Sequence, residues 1–343
     1  MSIKLLWPAL RWQDDYEAER SVAGEGVECI FGQDAASVTD EQWQACDGII
    51  STIDPLEEEK MAKIGNCKIF ITPKVGFDNI DLEKYGKWGI PVCNVPDYGT
   101  QDVADHAMGL LLSLMKGIST YDRRLREDPR AQWRATRQPL ALRLSVARLG
   151  IVGLGRIGTA MALRCKAFGM DVSFYDPYKP NGTDLALGIR RVDSLEELFE
   201  TSDIVSLHVP LSEETRNMVN ADLLVHARPG LVLINAARGE VVDIDALYDA
   251  MLAGRVGGAG LDVLPEEPAN EQRPLISAWL RGDEAIADRV IITPHAAFYT
   301  PQSLFDMRTR GITVALKYLR TGRLENCVNE DYLKSPRPPG NLK

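Results

Sequence analysis

The sequence has no apolar run long enough to cross a bilayer. The longest candidate, from Ala107 to Met115, falls far short of the ~20 residues that a spanning helix needs. The opening MSIKLLWPALRW is too short an apolar run for a secretory leader. Basic charge is also in deficit: 39 Lys and Arg stand against 49 Asp and Glu, a net charge of −10. Such a surface repels phosphate backbones and anionic lipid, which argues against nucleic acid and membrane partners. An anionic ligand would have to be drawn in by a local basic pocket. The six cysteines (Cys29, Cys46, Cys67, Cys93, Cys165 and Cys327) are scattered, with no CxxC and no His at metal spacing. This argues against a metal site and for reduced core thiols in a cytoplasmic protein. No short-period repeat is present.

What is present is an ordinary globular composition, 45% hydrophobic over 343 residues, which suggests two domains at roughly 150 residues each. Short β-like runs alternate with amphipathic stretches. Strands are expected at Ile3–Trp7, Val27–Phe31, Gly48–Ser51, Lys68–Thr72 and Val92–Val95, with helical segments at Thr39–Cys46 and Pro55–Ile64. Thr39 and Gln42 have capping-box spacing. One long, nearly all-apolar helix is expected from Gln101 to Ile118, then an Arg-rich excursion from Tyr121 to Arg148 that suits an arm meeting a second subunit. A second series of strands follows at Leu149–Gly153, Val172–Tyr175, Ile204–Val209, Leu231–Ala236, Ala259–Val263 and Val290–Thr293. Its helices would fall at Ile157–Phe168, Ser194–Thr201, Ile244–Ala253 and Pro301–Leu319. The βαβ rhythm predicts parallel sheets covered by helices. The last helix has an amphipathic face that would cross back to the first domain, and the tail after Tyr332 should be loose.

The strongest motif is GIVGLGRIG, with the apolar strand Leu149–Val152 before it and a helix after it. Gly153 permits a tight turn, Gly155 lets backbone approach a pyrophosphate, and Gly158 lets helix and strand pack closely. Arg156 and Ile157 open the helix, whose free N–H groups would face the phosphates. Asp176 ends the next strand, where a carboxylate can accept from both ribose hydroxyls and would repel a 2′-phosphate; NAD is therefore expected over NADP. Open α/β sheets bind ligands beyond the carboxyl ends of their strands. Arg238, Glu266, Glu267 and His295 all follow strand ends of this series, and Asp262 closes one of them. Each has a plainer reading: a surface Arg, solvated loop acids, a hydrogen-bonded loop His. His106, His208 and His226 fall in contexts that suggest packing. Together, though, Arg, Glu and His suit reduction of a 2-oxo acid: Arg grips the carboxylate, His supplies the proton, and Glu stabilises the imidazolium.

These residues resemble the D-isomer-specific 2-hydroxyacid dehydrogenase family. The matching stretches are KVGFDNIDLE (74–83), NVPDYGTQDVADHAMGLLL (94–112), GIVGLGRIG (150–158), HVPLSEETRNMV (208–219), INAARGEVVD (234–243), GLDVLPEEP (260–268) and ITPHAAFYT (292–300). The resemblance implies two Rossmann-like or flavodoxin-like parallel-sheet domains with an active-site cleft between them. The substrate domain would comprise 1–100 plus 300–343. The NAD-binding domain would span 101–299, with a dimerisation arm near 119–147. It implies a homodimer and the catalytic trio Arg238, Glu267 and His295. By motif position, Thr100, Pro210, Thr215 and Ala236 would line the cofactor, and Asp262 would hold the nicotinamide carboxamide. Val75 and Gly76 would present backbone N–H groups to the substrate carboxylate. Lys74 beside them either attracts a second anionic group or is a solvated rim charge.

The run His295-Ala296-Ala297-Phe298-Tyr299 carries an aromatic where many members have a small residue, which is closest to the C-terminal-binding-protein branch. Phe298 would narrow the substrate pocket or pack between the domains. That branch also supplies the alternative reading, an NADH-sensing corepressor that binds peptides. Glu267 in place of Gln argues against formate oxidation. The substrate side chain, direction and pathway stay open.

Overall fold

The computed structural model describes residues 2–9 and 15–337. The chain divides into two compact units at Gly99/Thr100 and again at Phe298/Tyr299, so the first unit is built from both ends of the chain. Among the described residues, no helix is long and apolar enough to cross a membrane.

The first unit holds β1 (Ile3–Trp7), β2 (Val27–Phe31), β3 (Gly48–Ile50), β4 (Ile69–Thr72) and β5 (Val92–Asn94), with helices α1 (Glu17–Ala23), α2 (Asp40–Ala45) and α3 (Leu82–Lys87). All its strand pairs are parallel, in the order β2-β1-β3-β4-β5, the flavodoxin-like order. Alternation along β4 assigns its two faces. Phe70 joins a core with Trp43, Met61, Ile64 and Tyr85, whereas Ile71 meets a helix on the other side. That helix, the last of the chain, contacts β3, β4 and α1. Its Gly311 lies so near the sheet that a Cβ would sit 3.1 Å from Ile71. A bidentate ion pair of Arg308 with Glu19, at 2.6 and 2.7 Å, fastens it to α1. Glu19 is 2% exposed and would be costly to bury without that partner.

The second unit holds α4 (Thr100–Lys116), α5 (Ile118–Glu127), β6 (Arg148–Val152), α6 (Arg156–Ala167), β7 (Asp171–Tyr175), α7 (Thr183–Leu187), β8 (Arg190–Arg191), α8 (Leu195–Thr201), β9 (Ile204–Leu207), α9 (Ala221–Leu224), β10 (Leu231–Asn235), α10 (Ile244–Leu252), β11 (Val256–Leu261), α11 (Pro274–Arg281) and β12 (Val290–Ile292). The chain then returns to the first unit through α12 (Pro301–Thr321). The seven strands are parallel, in the order β12-β11-β10-β9-β6-β7-β8. Winding proceeds outward from β6 in one direction and from β9 in the other, as in a dinucleotide-binding sheet. Both faces are covered, so the strands are apolar without alternation. Along β10, Leu231 and Leu233 enter a core with Phe199, Leu247 and Leu275. Val232 and Ile234 enter the opposite core with Met108, Leu111 and Met161.

Several sequence expectations need correction. Pro55–Ile64 is not an α-helix; Glu58–Ile64 forms a 3-10 helix. The long helix expected from Gln101 to Ile118 breaks at Gly117, whose φ of 63° starts a second helix, α5. A Cβ at Gly117 would collide with the Gln138 side chain at 2.8 Å. The excursion after Tyr121 is correspondingly shorter. Arg123 and Arg124 of α5 both pair with Asp288 at 2.5 Å, and Leu140 is buried in the α4 core. The chain after Tyr332 is fastened rather than loose as far as Arg337, whose guanidinium donates to the carbonyls of Ile64, Gly65 and Cys67 at 2.9–3.0 Å. The remaining tail lies outside the described residues.

Candidate active site

β6 runs straight into Gly153, and its neighbour β9 ends at Leu207, just before His208, so the turn sits at the switch point of the sheet. Gly153 has φ 84°, and a Cβ there would meet His208 O at 2.8 Å. A Cβ on Gly158 would be 2.0 Å from Gly153 O, so α6 can lie against the turn only with glycine at this position. Gly155 faces open space: nothing lies within 4 Å of a Cβ placed on it. This is a cradle of the shape a pyrophosphate needs, capped by the N-terminus of α6 with Arg156 exposed and Ile157 turned into the core. Asp176 sits just past β7. One carboxylate oxygen accepts the Leu154 N–H at 2.8 Å and the other the Tyr178 N–H at 3.0 Å. Each oxygen has a further lone pair for a ribose hydroxyl. His208 adds an unsatisfied buried Nδ1 to this edge; its Nε2 meets Ser206 Oγ at 2.9 Å, and burial lowers its pKa to about 4, so the ring is neutral. These features fit a bound dinucleotide.

Arg238, Glu267 and His295 follow β10, β11 and β12, three strands adjacent in the sheet. His295 Nδ1 meets Glu267 Oε2 at 2.7 Å. Glu267 Oε1 accepts the Leu264 N–H at 3.1 Å, which fixes the carboxylate. Burial pushes the Glu267 carboxyl upward, but the His295 hydrogen bond, the Leu264 N–H and the positive charge of Arg238 together hold it below the usual Glu value. His295 itself is held at φ 50°, an unusual conformation for a non-glycine residue. Its N–H donates to Asp262 O at 2.8 Å and Thr293 O at 3.0 Å. The two glutamates differ in partner: Glu267 meets His295, whereas Glu266 pairs with Arg273 at 2.9 Å.

Asp262 is 1% exposed, and its carboxylate is used on the turn around His295. Oδ1 accepts from Thr293 Oγ1 at 2.6 Å and Ala296 N–H at 2.9 Å, and Oδ2 accepts from Ala297 N–H at 2.9 Å. Its carboxylate therefore braces the turn that carries His295. His106, read as a packing residue, completes that network with Nε2 at 2.9 Å from Thr293 Oγ1. Asn235 does the same for Arg238: its amide donates to Arg238 O and accepts from Ala237 N–H, at 2.9 and 3.0 Å. Gly239, also missed, presses against the loop that carries Glu267; a Cβ would be 1.9 Å from the Leu264 carbonyl carbon. The available signal was a polar residue, Asn235 or Asp262, at the end of an otherwise apolar strand.

The remaining candidates are more dispersed. Pro210 is exposed, and Thr215 is buried with its hydroxyl donating to Pro210 O at 2.6 Å, so it shapes that loop. Ala236 is buried beside the end of β10, and Thr100 opens α4. Phe298 packs on the core around α4 and α6. In the first unit, Lys74 Nζ donates to Asn79 Oδ1 at 2.7 Å, and Val75 O accepts from the Asn94 amide at 2.7 Å. Gly76 follows, half-buried.

Comparison with known proteins agrees with this architecture. The profile of the D-isomer specific 2-hydroxyacid dehydrogenase NAD binding domain matches residues 108–297. A glyoxylate reductase of Korarchaeum cryptofilum is 36% identical over 304 residues, 88% of this chain and 87% of its own. Among solved structures, the D-lactate dehydrogenase of Aquifex aeolicus, complexed with NAD and lactic acid, has a TM-score of 0.75 and 32% identity over 92% of this chain and 95% of its own. An NADPH-dependent glyoxylate/hydroxypyruvate reductase of Sinorhizobium meliloti has a TM-score of 0.82 and 29% identity over 98% of this chain and 100% of its own. The chain belongs to the D-isomer-specific 2-hydroxyacid dehydrogenase family and is an oxidoreductase acting on 2-hydroxy acids.

Proposed function

We propose that this protein interconverts a small 2-oxo acid and its D-2-hydroxy acid with NAD(H), using His295 as general acid and base. The observation that carries the reading is the 2.7 Å His295–Glu267 contact at the ligand-binding edge of the dinucleotide sheet. The nicotinamide, when bound, supplies or accepts the hydride. In reduction, His295 Nε2 donates a proton to the oxygen that becomes the alkoxide, while Glu267 on Nδ1 favours the protonated ring and fixes its orientation. The Arg238 guanidinium grips the substrate carboxylate and polarises its carbonyl. In the first unit, the resemblance gives the backbone N–H groups of Val75 and Gly76 to substrate binding.

Asp176 supports NAD over NADP, since a 2′-phosphate would bring like charge against its carboxylate. The NADPH-dependent relative makes this a point to measure. NADH oxidation should be assayed with glyoxylate, hydroxypyruvate, pyruvate, phenylpyruvate and branched 2-oxo acids, and repeated with NADPH. Turnover of at least one acid, with NADH favoured, is expected. His295→Ala should lose turnover by ~10²-fold or more while still binding NADH. Wild-type-like turnover in that variant removes His295 from the mechanism, and an NADPH preference removes the role given to Asp176.

A further inference from the structure

The first unit carries two pairs of cysteines that the reaction does not use. Cys46 and Cys67 are fully inaccessible in the core, and their thiols donate to the carbonyls of Trp43 and Ile69. Cys93 and Cys327 are placed differently. Cys93 lies in β5, and Cys327 lies on the segment after α12, opposite Cys93 in an antiparallel bridge. The Asn94 N–H donates to Asn326 O at 3.1 Å and the Val328 N–H to Val92 O at 2.8 Å. The hydrogen bonds therefore flank the cysteines, which makes them a non-hydrogen-bonded pair. At such a position Cα atoms are only ~4.5 Å apart and side chains are closest; disulfides span Cα separations of roughly 4.4–6.8 Å. The two side chains face each other across this bridge, and the Cys327 thiol donates to Asn329 Oδ1 at 3.3 Å. Cys93 is buried and Cys327 half-buried, so an oxidant has its nearer approach on the Cys327 side.

We propose that Cys93 and Cys327 form an oxidation site, at which a peroxide-class oxidant converts the pair to a disulfide that locks the C-terminal segment to β5. The Cys327 thiolate attacks one peroxide oxygen, the O–O bond breaks, and the released hydroxide takes up the proton that Cys327 lost. Cys93 sulfur then attacks the Cys327 sulfenic acid. The S–S bond forms, the S–O bond breaks, and the Cys93 proton leaves with the hydroxyl as water. Two thiols are oxidised by two electrons and one peroxide is reduced to two waters. The contact with Cys93 lowers the Cys327 pKa against the effect of burial, which favours the attacking thiolate. The disulfide would close a ring around the entire second unit, because β5 precedes it and Cys327 follows it in sequence.

The test is to treat the folded, full-length protein with stoichiometric hydrogen peroxide, block free thiols, digest, and analyse by mass spectrometry. A Cys93 peptide joined to a Cys327 peptide is expected, two hydrogens lighter than the separate peptides and released by dithiothreitol. Cys46 and Cys67 should stay reduced. The oxidised protein should unfold several degrees higher than the reduced one, since the link restricts the unfolded chain, and Cys327→Ser should abolish that shift. Cys93→Ser should leave a sulfenic acid on Cys327 that dimedone traps. Absence of the cross-link in folded protein overturns the proposal. So does a Cys46–Cys67 cross-link forming equally fast, which would place the oxidation in unfolded chains.

Discussion

His295 shows how much support one reactive side chain receives. Its backbone at φ 50° is maintained by two hydrogen bonds to its N–H and by the buried Asp262 carboxylate, which takes the N–H groups of the next two residues. The position of His295 was legible in the sequence because a strand end beside a dinucleotide turn is where ligands bind. The hydrogen bonds of Asp262 to that turn were not, because sequence does not show which way a carboxylate at a strand end is turned. Glu267 allows a sharp test. Its carboxyl is held below the usual Glu value of ~4.3, so it remains charged throughout the neutral range. Replacing it by Gln removes the negative charge that favours the protonated ring. The kcat for reduction should then fall roughly tenfold, and oxidation, which needs the neutral ring, should suffer less. Unchanged kcat in both directions in Glu267→Gln would show that the 2.7 Å contact does not govern the proton.

At the level of elements, strand periodicity was legible and helix boundaries less so. β1 and β2 lie where the apolar runs placed them, and the Thr39–Gln42 capping box is formed. The short helices α1, α3, α7, α9 and α11 escaped the sequence reading because they span at most eight residues, about two turns. The 3-10 form of Glu58–Ile64 was equally hidden, since nothing in its apolar spacing separates it from an α-helix. Contacts between loops were invisible too. Gly239 reads as a surface turn, yet its α-carbon presses on the 264–265 backbone, with Pro265 N 2.4 Å from a would-be Cβ. Backbone on both sides leaves little room to yield. Gly239→Ala should therefore destabilise the protein by ~1–3 kcal/mol, seen as a lower midpoint in urea. It should also lower kcat/KM more than KM alone accounts for, because Arg238 precedes it and Glu267 follows the loop it contacts. Full activity with normal stability would mean that the 264–265 loop moves freely.

For the whole molecule, sequence patterning conveyed two parallel α/β sheets but not the open tryptophan between α5 and β6. Both ends of that segment are anchored: Tyr121 donates to Thr136 O at 2.8 Å and Leu140 is buried. Between the anchors Trp133 is 79% exposed. A tryptophan this open gives almost nothing to the stability of its own chain, and large aromatics of this kind are what protein interfaces use as anchors. We propose that this segment, near 119–147, pairs two copies into a homodimer. Light scattering of the purified protein should give twice the 38.0 kDa chain mass. Trp133→Glu should shift the mass toward a single chain at micromolar concentration, while the unfolding free energy of the isolated monomer, from urea titration, stays within ~0.5 kcal/mol of the corresponding wild-type monomer. A dimer that persists in Trp133→Glu would locate the interface elsewhere, and a wild-type protein that scatters as one chain would remove the pairing altogether.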